Sequence, residues 1–587
     1  KALIEKDAEL ELDEDVDEEI EEEEEVEEEA PGPEADRPSL FTDKEGNIKK
    51  ANNGQWIAIE KIKTWFKQKS ERRSETNKIF VLQGRAGTGK TTIVEATLDI
   101  LKIDPDDVRF ALPTHKAKQV IQNATQAYSE DSFSTIDSLL GQRPIFVPVK
   151  DAETGEIIRD KQGNVKEYKQ IFRKDESDEA EEAADKKIRG QDGKYIKLIV
   201  IDEASMINEK FTSELIELAI SKNIRLLFMG DNVQLPPIED EGGKKQEGVA
   251  VSWVFDTVMK INQKPRELSI PDTSYAKLTK RMRQDEGNPI LGITDILANV
   301  AEYIHKNHGD YIRDFGNTKL VSFVLPLIKN KSVQYMEGIG SAPKDEAVKS
   351  FAKEYKEAKI SRNEKNIKFI TYNNAEHPTT KALRKRIRPL IFPEVDSKKA
   401  EDIEGTPFLV GERIVLDKNI SILKRGEPAR PEYIHNGDEL TVQEEIYDGT
   451  VNHGQNLRNI PVRFLKVKTD EGAPYTLILD KPSETEKWPD GKPKSESQKQ
   501  IYKQLNNWQR SQGEHKKLKI ELFTSGLSSA YLIDSHKAQG STYDTVYANY
   551  GNILSGMHGA DFLSRVNSLY VATSRPRHRL VLVGGSK

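Results

Sequence analysis

The sequence predicts an α/β protein built on doubly wound parallel sheets, and three observations predict it. Apolar runs of strand length recur at 78–83, Val108–Leu112, Leu198–Ile201, 226–229, Ile367–Thr371 and 580–583, with helical patterns between many of them. That alternation is the mark of βαβ units. A glycine-rich loop follows the first run, and a pair of acids follows the third. Two further regions break the rhythm and read as insertions.

At 587 residues the chain exceeds one hydrophobic core, and roughly three to five domains are expected. No stretch approaches the ~18 consecutive apolar residues of a membrane span, so a soluble protein is expected. The acidic first residues have no apolar core of a secretory signal. With no cysteine in the sequence, disulfides, thiolate zinc sites and cysteine nucleophiles are excluded, which fits a reducing cytoplasm. Because the chain begins at Lys1 rather than Met, a natural start upstream, or its removal, is the expectation.

Net charge is −9, but it is unevenly spread. Residues 1–37 hold 20 acids against Lys1, Lys6 and Arg37, so the remainder is basic by 8 charges. A basic body can hold phosphate backbones, and an acidic arm cannot.

Taken in order, residues 1–38 are low-complexity and acidic, ending in Ala30-Pro31-Gly32-Pro33 and beyond, and are expected to be disordered. Trp56, Ile57, Ile59, Ile62, Trp65 and Phe66 then recur at helical spacing before the first strand. Residues 142–196 interrupt the α/β pattern with Ile145-Phe146-Val147-Pro148-Val149, turn-formers and a charged stretch. They read as an inserted hairpin with a mobile arm. Residues 396–525 hold Ile414-Val415-Leu416, Glu439-Leu440-Thr441-Val442 and apolar runs at 462–467 and 475–479, separated by Gly, Asn and Pro. That resembles an inserted β-barrel, with 481–500 as an exposed loop or arm.

The phosphate chemistry begins at Gly84-Arg85-Ala86-Gly87-Thr88-Gly89-Lys90-Thr91, which matches G-x-x-x-x-G-K-[ST] between a strand and the helical pattern 93–100. Its glycines let backbone N–H groups turn inward around phosphate oxygens at a helix N-terminus. Gly84, Ala86, Gly87, Thr88, Gly89, Lys90, Thr91 and Thr92 are therefore expected to bind ATP. Lys90 should reach the β and γ phosphates, and Thr91 should ligate Mg²⁺. Asp202, after the strand Ile199-Val200-Ile201, would share the metal, and Glu203 would polarise the attacking water.

Several blocks across 50–587 resemble superfamily-one helicases, most closely the Dda-type phage helicases, with RecD-like enzymes next. Asn53-Gly54-Gln55 resembles the Q motif, which implies that Gln55 reads adenine. Leu112-Pro113-Thr114-His115-Lys116-Ala117 resembles motif Ia, which implies single-strand contacts from Pro113, Thr114, His115 and Lys116. Thr135-Ile136-Asp137-Ser138-Leu139 resembles T-I-H-S-L with Asp in place of His. Gly230-Asp231-Asn232-Val233-Gln234-Leu235-Pro236-Pro237 resembles motif III. By resemblance, Gln234 contacts the γ phosphate, and the Q-L-P-P wording implies 5′-to-3′ movement.

Leu278-Thr279-Lys280-Arg281-Met282-Arg283-Gln284 resembles L-T-x-x-x-R-Q, which makes Arg283, rather than Arg281, the phosphate arginine. Phe369-Ile370-Thr371-Tyr372-Asn373-Asn374 resembles the opening of the second motor domain and brings Asn373 to the strand. Ile434-His435-Asn436-Gly437-Asp438 resembles the N-G-D turn of the inserted barrel. Asp534-Ser535-His536-Lys537-Ala538-Gln539-Gly540-Ser541-Thr542 has the motif V pattern. It implies nucleotide sensing by Gln539 and Gly540, and strand contacts from His536, Lys537, Ser541 and Thr542. Leu569-Tyr570-Val571-Ala572-Thr573-Ser574-Arg575 ends in the motif VI arginine finger, with Pro576 where Ala is common.

The resemblance implies two RecA-like P-loop motor domains with an inserted β-hairpin pin and an inserted SH3-like β-barrel. It divides the chain into the arm 1–38, motor domain 1A at 39–285, motor domain 2A at 286–395 and 526–587, and the barrel domain 2B at 396–525. It implies an ATP-dependent, 5′-to-3′ DNA helicase acting on single-stranded and tailed duplex DNA as a monomer, with a phage origin and a place in replication or recombination. The motifs leave open a protein-displacing translocase and an RNA helicase. Three readings of the acidic arm stay open: a solubility tail, an autoinhibitory DNA mimic, and a docking arm for a replication or recombination partner.

Overall fold

The computed structural model describes residues 33, 36–42, 48–68, 78–125, 127–148, 156, 168–174, 178–235, 254–255, 274–282, 288–306, 332–339, 342–372, 377–393, 408–416, 420–422, 432–444, 446–453, 457–470, 472–487, 493–497, 499–501, 503–504, 527–554 and 561–584. The acidic run 1–32, Pro236, Pro237, Arg283 and Asn373 lie outside the described residues.

The first sheet contains β1 (Ile79–Gly84), β2 (Val108–Leu112), β3 (Phe133–Thr135), β6 (Leu198–Ile201), β7 (Arg225–Gly230) and β8 (Tyr275–Leu278). Their spatial order is β8-β1-β7-β6-β2-β3, with every pair parallel. Strands in such a sheet are covered on both faces and read as continuous apolar runs. Phe80 and Leu82 of β1 face one core, while Val81 faces the other. All six carboxyl ends share one edge, the edge at which open α/β sheets bind ligands. The helices α1 (Asn53–Lys67), α2 (Lys90–Leu101) and α3 (His115–Ala124) flank one face of the sheet, and the helix Glu209–Lys222 packs on the other. Each starts where its cap chemistry allows, α1 with a reciprocal Asn52–Gln55 capping box and α3 with the Thr114 hydroxyl accepting from Ala117 N–H.

Between β3 and β6 the chain leaves the sheet as β4 (Gln142–Pro148) and β5 (Tyr168–Lys174), an antiparallel pair. The charged stretch after it was expected to be a mobile arm, but Asp178–Lys187 is a helix. Its alanines and acids are good helix formers, and Glu182 pairs with Lys186 one turn on.

The second parallel sheet comprises β9 (Val333–Ile339), β10 (Ala342–Pro343), β11 (Ile367–Thr371), β18 (Leu532–Asp534), β19 (Tyr543–Ala548) and β20 (Pro576–Gly584). The order is β10-β9-β20-β19-β11-β18, parallel except for the short β10. Between β11 and β18 lies a separate antiparallel sheet made of β12 (Arg413–Leu416), β13 (Glu439–Val442), β14 (Tyr447–His453), β15 (Leu457–Lys468), β16 (Pro474–Asp480) and β17 (Leu527–Ser529). It has its own core, with Ile414, Leu416, Leu440, Val442, Leu465 and Leu477 buried together. Its end strands β14 and β17 share no pairing among the described residues. Within 481–500, expected as a loop, Pro482–Lys487 and Pro493–Ser495 form a further antiparallel pair.

One apolar core joins the two parallel-sheet units. Val233 and Leu235, just after β7, are buried with Ile290, Ile293 and Leu297 of the helix Pro289–Lys306 and with Tyr570 of the helix Asp561–Ser574. The second unit therefore packs against the carboxyl edge of the first.

Candidate nucleotide and nucleic-acid site

The loop between β1 and α2 turns on residues an L side chain would strain. Gly89 caps α2 at φ 84°, and a Cβ there would come within 2.9 Å of Gln55 Nε2. The Thr88 hydroxyl donates to Arg85 C=O at 2.9 Å, and Lys90 Nζ donates to Gly84 C=O at 2.7 Å, which folds the loop on itself. Thr91 and Thr92 open α2, half-buried. Gln55 is buried against this loop and donates from Nε2 to Thr88 C=O at 3.1 Å.

Beside the loop, β6 ends in Asp202 and Glu203. Burial and the Glu203 charge push Asp202 up to about 7, and Lys90 pulls it the other way. Asp202 Oδ1 accepts from Glu203 N–H at 2.8 Å. Glu203 holds a left-handed backbone, φ 52° and ψ 41°, the kind of outlier that motivates a search for function. Gly540, itself at φ 75°, faces it, so that a Cβ at Gly540 would lie 3.8 Å from Glu203 Oε1.

A buried carboxylate ties the elements together. Asp231, at the end of β7, accepts at Oδ2 from Ala86 N–H at 2.9 Å and from the Tyr570 hydroxyl at 2.6 Å. Its Oδ1 accepts from Val233 N–H at 3.1 Å. Arg85 makes a second bridge to the other unit, donating to Asp295 at 2.8 Å and Asn299 at 2.6 Å. Arg281 pairs with the same Asp295 at 2.7 Å. Sequence spacing alone gave no sign of Tyr570, Arg85 or Asp295, because their partners lie hundreds of residues away.

Gln234, Gln539 and Arg575 are all buried and each carries polar atoms without a partner among the described residues: Gln234 Oε1, both amide atoms of Gln539, and Arg575 Nη2. Native proteins rarely leave such atoms unsatisfied, and each calls for an explanation. Arg575 otherwise holds its own helix end, from Nε to Val571 C=O at 3.1 Å, and donates from Nη1 to Ser541 C=O at 3.4 Å.

Of the residues expected to touch a strand, Lys116 and Lys537 meet at a second seam, and His115 meets His435 of the antiparallel-sheet region. Lys116 Nζ donates to Lys537 C=O at 2.7 Å, joining the start of α3 to the turn after β18. His115 stacks face to face on His435, centroids 3.2 Å apart and planes within 2°. Burial, the facing ring and Lys118 lower His115 to about 3, and burial and Lys118 lower His435 to about 4, so both are neutral at pH 7. Burial lowers His536 as well. Asp534 caps the turn by accepting from Lys537 N–H at 2.9 Å, and the Lys537 ammonium pairs with the same carboxylate at 2.8 Å. Pro113 and Thr114, just before His115, are half-buried, as are Ser541 and Thr542. His435 was legible only as the neighbour of a glycine turn, and its pairing with His115 carried no sequence signal.

Strand order and the G-x-x-x-x-G-K-T loop define a P-loop fold whose two parallel-sheet units meet at that loop. Residues 68–286 match the family model described as an AAA domain, and residues 529–583 match that of the UvrD-like helicase C-terminal domain. The first parallel-sheet unit is thus similar to an AAA domain, and the last part of the second to a UvrD-like helicase C-terminal domain. An uncharacterised protein of Acanthamoeba polyphaga mimivirus is 26% identical over 215 residues, which are 35% of this chain and 36% of the relative. An uncharacterised protein of Methanocaldococcus jannaschii is 27% identical over 165 residues, 28% of this chain and 12% of the relative. This chain therefore spans about a third and an eighth of those relatives. Among solved structures, a Bacteroides Pif1 helicase with ADP-AlF3 and ssDNA aligns at TM-score 0.37 and 15% identity, covering 90% of this chain and 91% of that one. The Pif1 helicase from Candida albicans aligns at TM-score 0.36 and 16% identity, covering 91% and 95%.

Proposed function

We propose that this protein is an ATP-dependent DNA helicase that moves 5′ to 3′ on single-stranded DNA and unwinds duplex. The observation that carries the reading is the meeting of Ala86, Asp231 and Tyr570, which joins the phosphate loop to both units of the fold. An ATP molecule supplies a phosphoanhydride whose cleavage releases free energy, and a Mg²⁺ ion supplies charge neutralisation on its phosphates. The loop suits that group: it turns on left-handed glycines and holds an ammonium, and Gln234 reaches it through Asp231, which accepts from Ala86 N–H.

In this reading Lys90 and the loop N–H groups hold phosphate, and Thr91 and Asp202 hold the metal. Glu203 accepts the proton of the attacking water. Gln234 and Gln539, with Gly540, report the state of the γ phosphate to the strand-holding turns. Arg575, from the second unit, and Arg283 neutralise charge. Pro113, Thr114, His115, Lys116, Asn373, His536, Lys537, Ser541 and Thr542 grip the strand alternately from the two units, so each turnover advances it. The antiparallel pair β4–β5 serves as the pin, and the sheet β12–β17 is the SH3-like barrel that covers the strand. Likeness of motif III to the 5′-to-3′ branch of the Dda-type and RecD-like enzymes supports the polarity, and likeness to that family favours DNA.

The test is ATP turnover with and without single-stranded DNA or RNA. Stimulation by DNA is expected, with loss of turnover in Lys90→Ala and a fall of about 10³-fold or more in Arg575→Ala. Stimulation by RNA alone would replace the DNA reading. Turnover that ignores both polymers would contradict the motor.

A further inference from the structure

Met282 lies outside every role assigned above, yet its position is fixed by the nucleotide loop. Its backbone N–H donates to Gly87 C=O at 2.7 Å, which ties the chain after β8 directly to the phosphate loop. Its side chain is 50% exposed, unusual for a methionine whose backbone is so anchored. The sulfur accepts from Asn52 Nδ2 at 3.5 Å. Asn52 is the cap of α1, locked to Gln55 by two bonds of 2.9 and 3.0 Å. Gln55 in turn donates to Thr88 C=O. An amide that can read a base edge, a half-exposed thioether and the phosphate loop thus form one bonded unit.

We propose that Met282 is the apolar platform on which the base of the bound purine nucleotide lies, which makes it an affinity determinant for the base rather than for the phosphates. A purine read along its edge by an amide still exposes two apolar faces. A flexible, polarisable thioether suits such a face, and sulfur–aromatic contacts of this kind are favourable. The Asn52 bond holds the sulfur beside Gln55, so base face and base edge are engaged from one side of the loop. The inference rests on reading this loop as an ATP site.

Calorimetric titration of ADP and of inorganic tripolyphosphate, which has no base, tests it in wild type, Met282→Ala and Met282→Leu. Met282→Ala should weaken ADP by about five- to tenfold while leaving tripolyphosphate unchanged, and Met282→Leu should restore most of the ADP affinity. Equal ADP affinity in wild type and Met282→Ala would overturn the platform. Parallel weakening of both ligands would also overturn it, because Met282 would then merely hold the loop. Wild-type protein that binds neither ligand would remove the ATP-site reading itself, a result distinct from the other two.

Discussion

Glu203 holds a left-handed backbone that costs a residue with a Cβ about 1–2 kcal/mol. The chain keeps it at the end of a fully buried strand, beside a carboxyl raised to about 7. If its geometry serves chemistry, stability and activity should separate there. Glu203→Gly should melt higher than Glu203→Ala, by about 1 kcal/mol, since glycine adopts this conformation freely. Both should lose ATP turnover. A Glu203→Gly variant no more stable than the alanine variant would mean the strain is relieved elsewhere. Four of the residues expected from the motifs, Lys90, Asp202, Gln234 and Arg575, lie on the loops and strand ends described above, because their spacing within each motif is short and fixed. Arg283 and Asn373 lie outside the described residues.

At the level of elements, β7 and the helix Asp561–Ser574 act through a single buried bond between Asp231 and Tyr570, which are 339 residues apart. Hydrogen bonds to charged groups contribute about 1.5–3 kcal/mol each. Tyr570→Phe should therefore destabilise the protein by roughly that amount. In a double-mutant cycle with Asp231→Asn the two effects should be strongly non-additive. Additive losses would show that the residues do not act as a pair.

The stacked histidines make a second inter-element contact with a pH signature. His115 and His435 are lowered to about 3 and about 4, from an ordinary 6.5. The native state thus resists protons that the unfolded chain accepts. Their contribution is fully present above pH 6.5 and is lost as pH falls from 6.5 towards 4. Lys118 adds repulsion to the protonated forms, and Asp438 accepts from the backbone N–H of His435 rather than from its ring. Denaturant midpoints measured across that window should fall more steeply for wild type than for the His115→Phe/His435→Phe variant, whose rings stack without titrating. Equal slopes would place the acid sensitivity elsewhere.

Over the whole molecule, the doubly wound core was legible because buried parallel strands leave continuous apolar runs, and Leu198–Ile201 and 226–229 are such runs. The antiparallel pair β4–β5 and the antiparallel sheet β12–β17 fall where the sequence breaks that rhythm. What the sequence hid was contact across distance: Arg85 with Asp295, Lys116 with Lys537, His115 with His435. None of these pairs has a period or a spacing. The helix Asp178–Lys187 was missed for the opposite reason, since its charged, alanine-rich pattern reads equally well as a solvated arm.

The acidic run 1–37 poses a question at the same scale. If it lies on the basic body as a DNA mimic, its deletion should tighten single-strand binding mainly at low salt. Unchanged affinity at low salt would exclude that role.

The most direct measurement mixes the protein, ATP and Mg²⁺ with a labelled duplex bearing either a 5′ or a 3′ single-stranded tail, alongside Lys90→Ala. Rapid strand separation from the 5′-tailed duplex alone, absent in the variant, is the predicted result. Separation only from the 3′ tail would keep the motor and reverse its direction. Failure to open either duplex, with DNA-stimulated ATP hydrolysis intact, would contradict unwinding and point to a translocase that clears proteins from the strand.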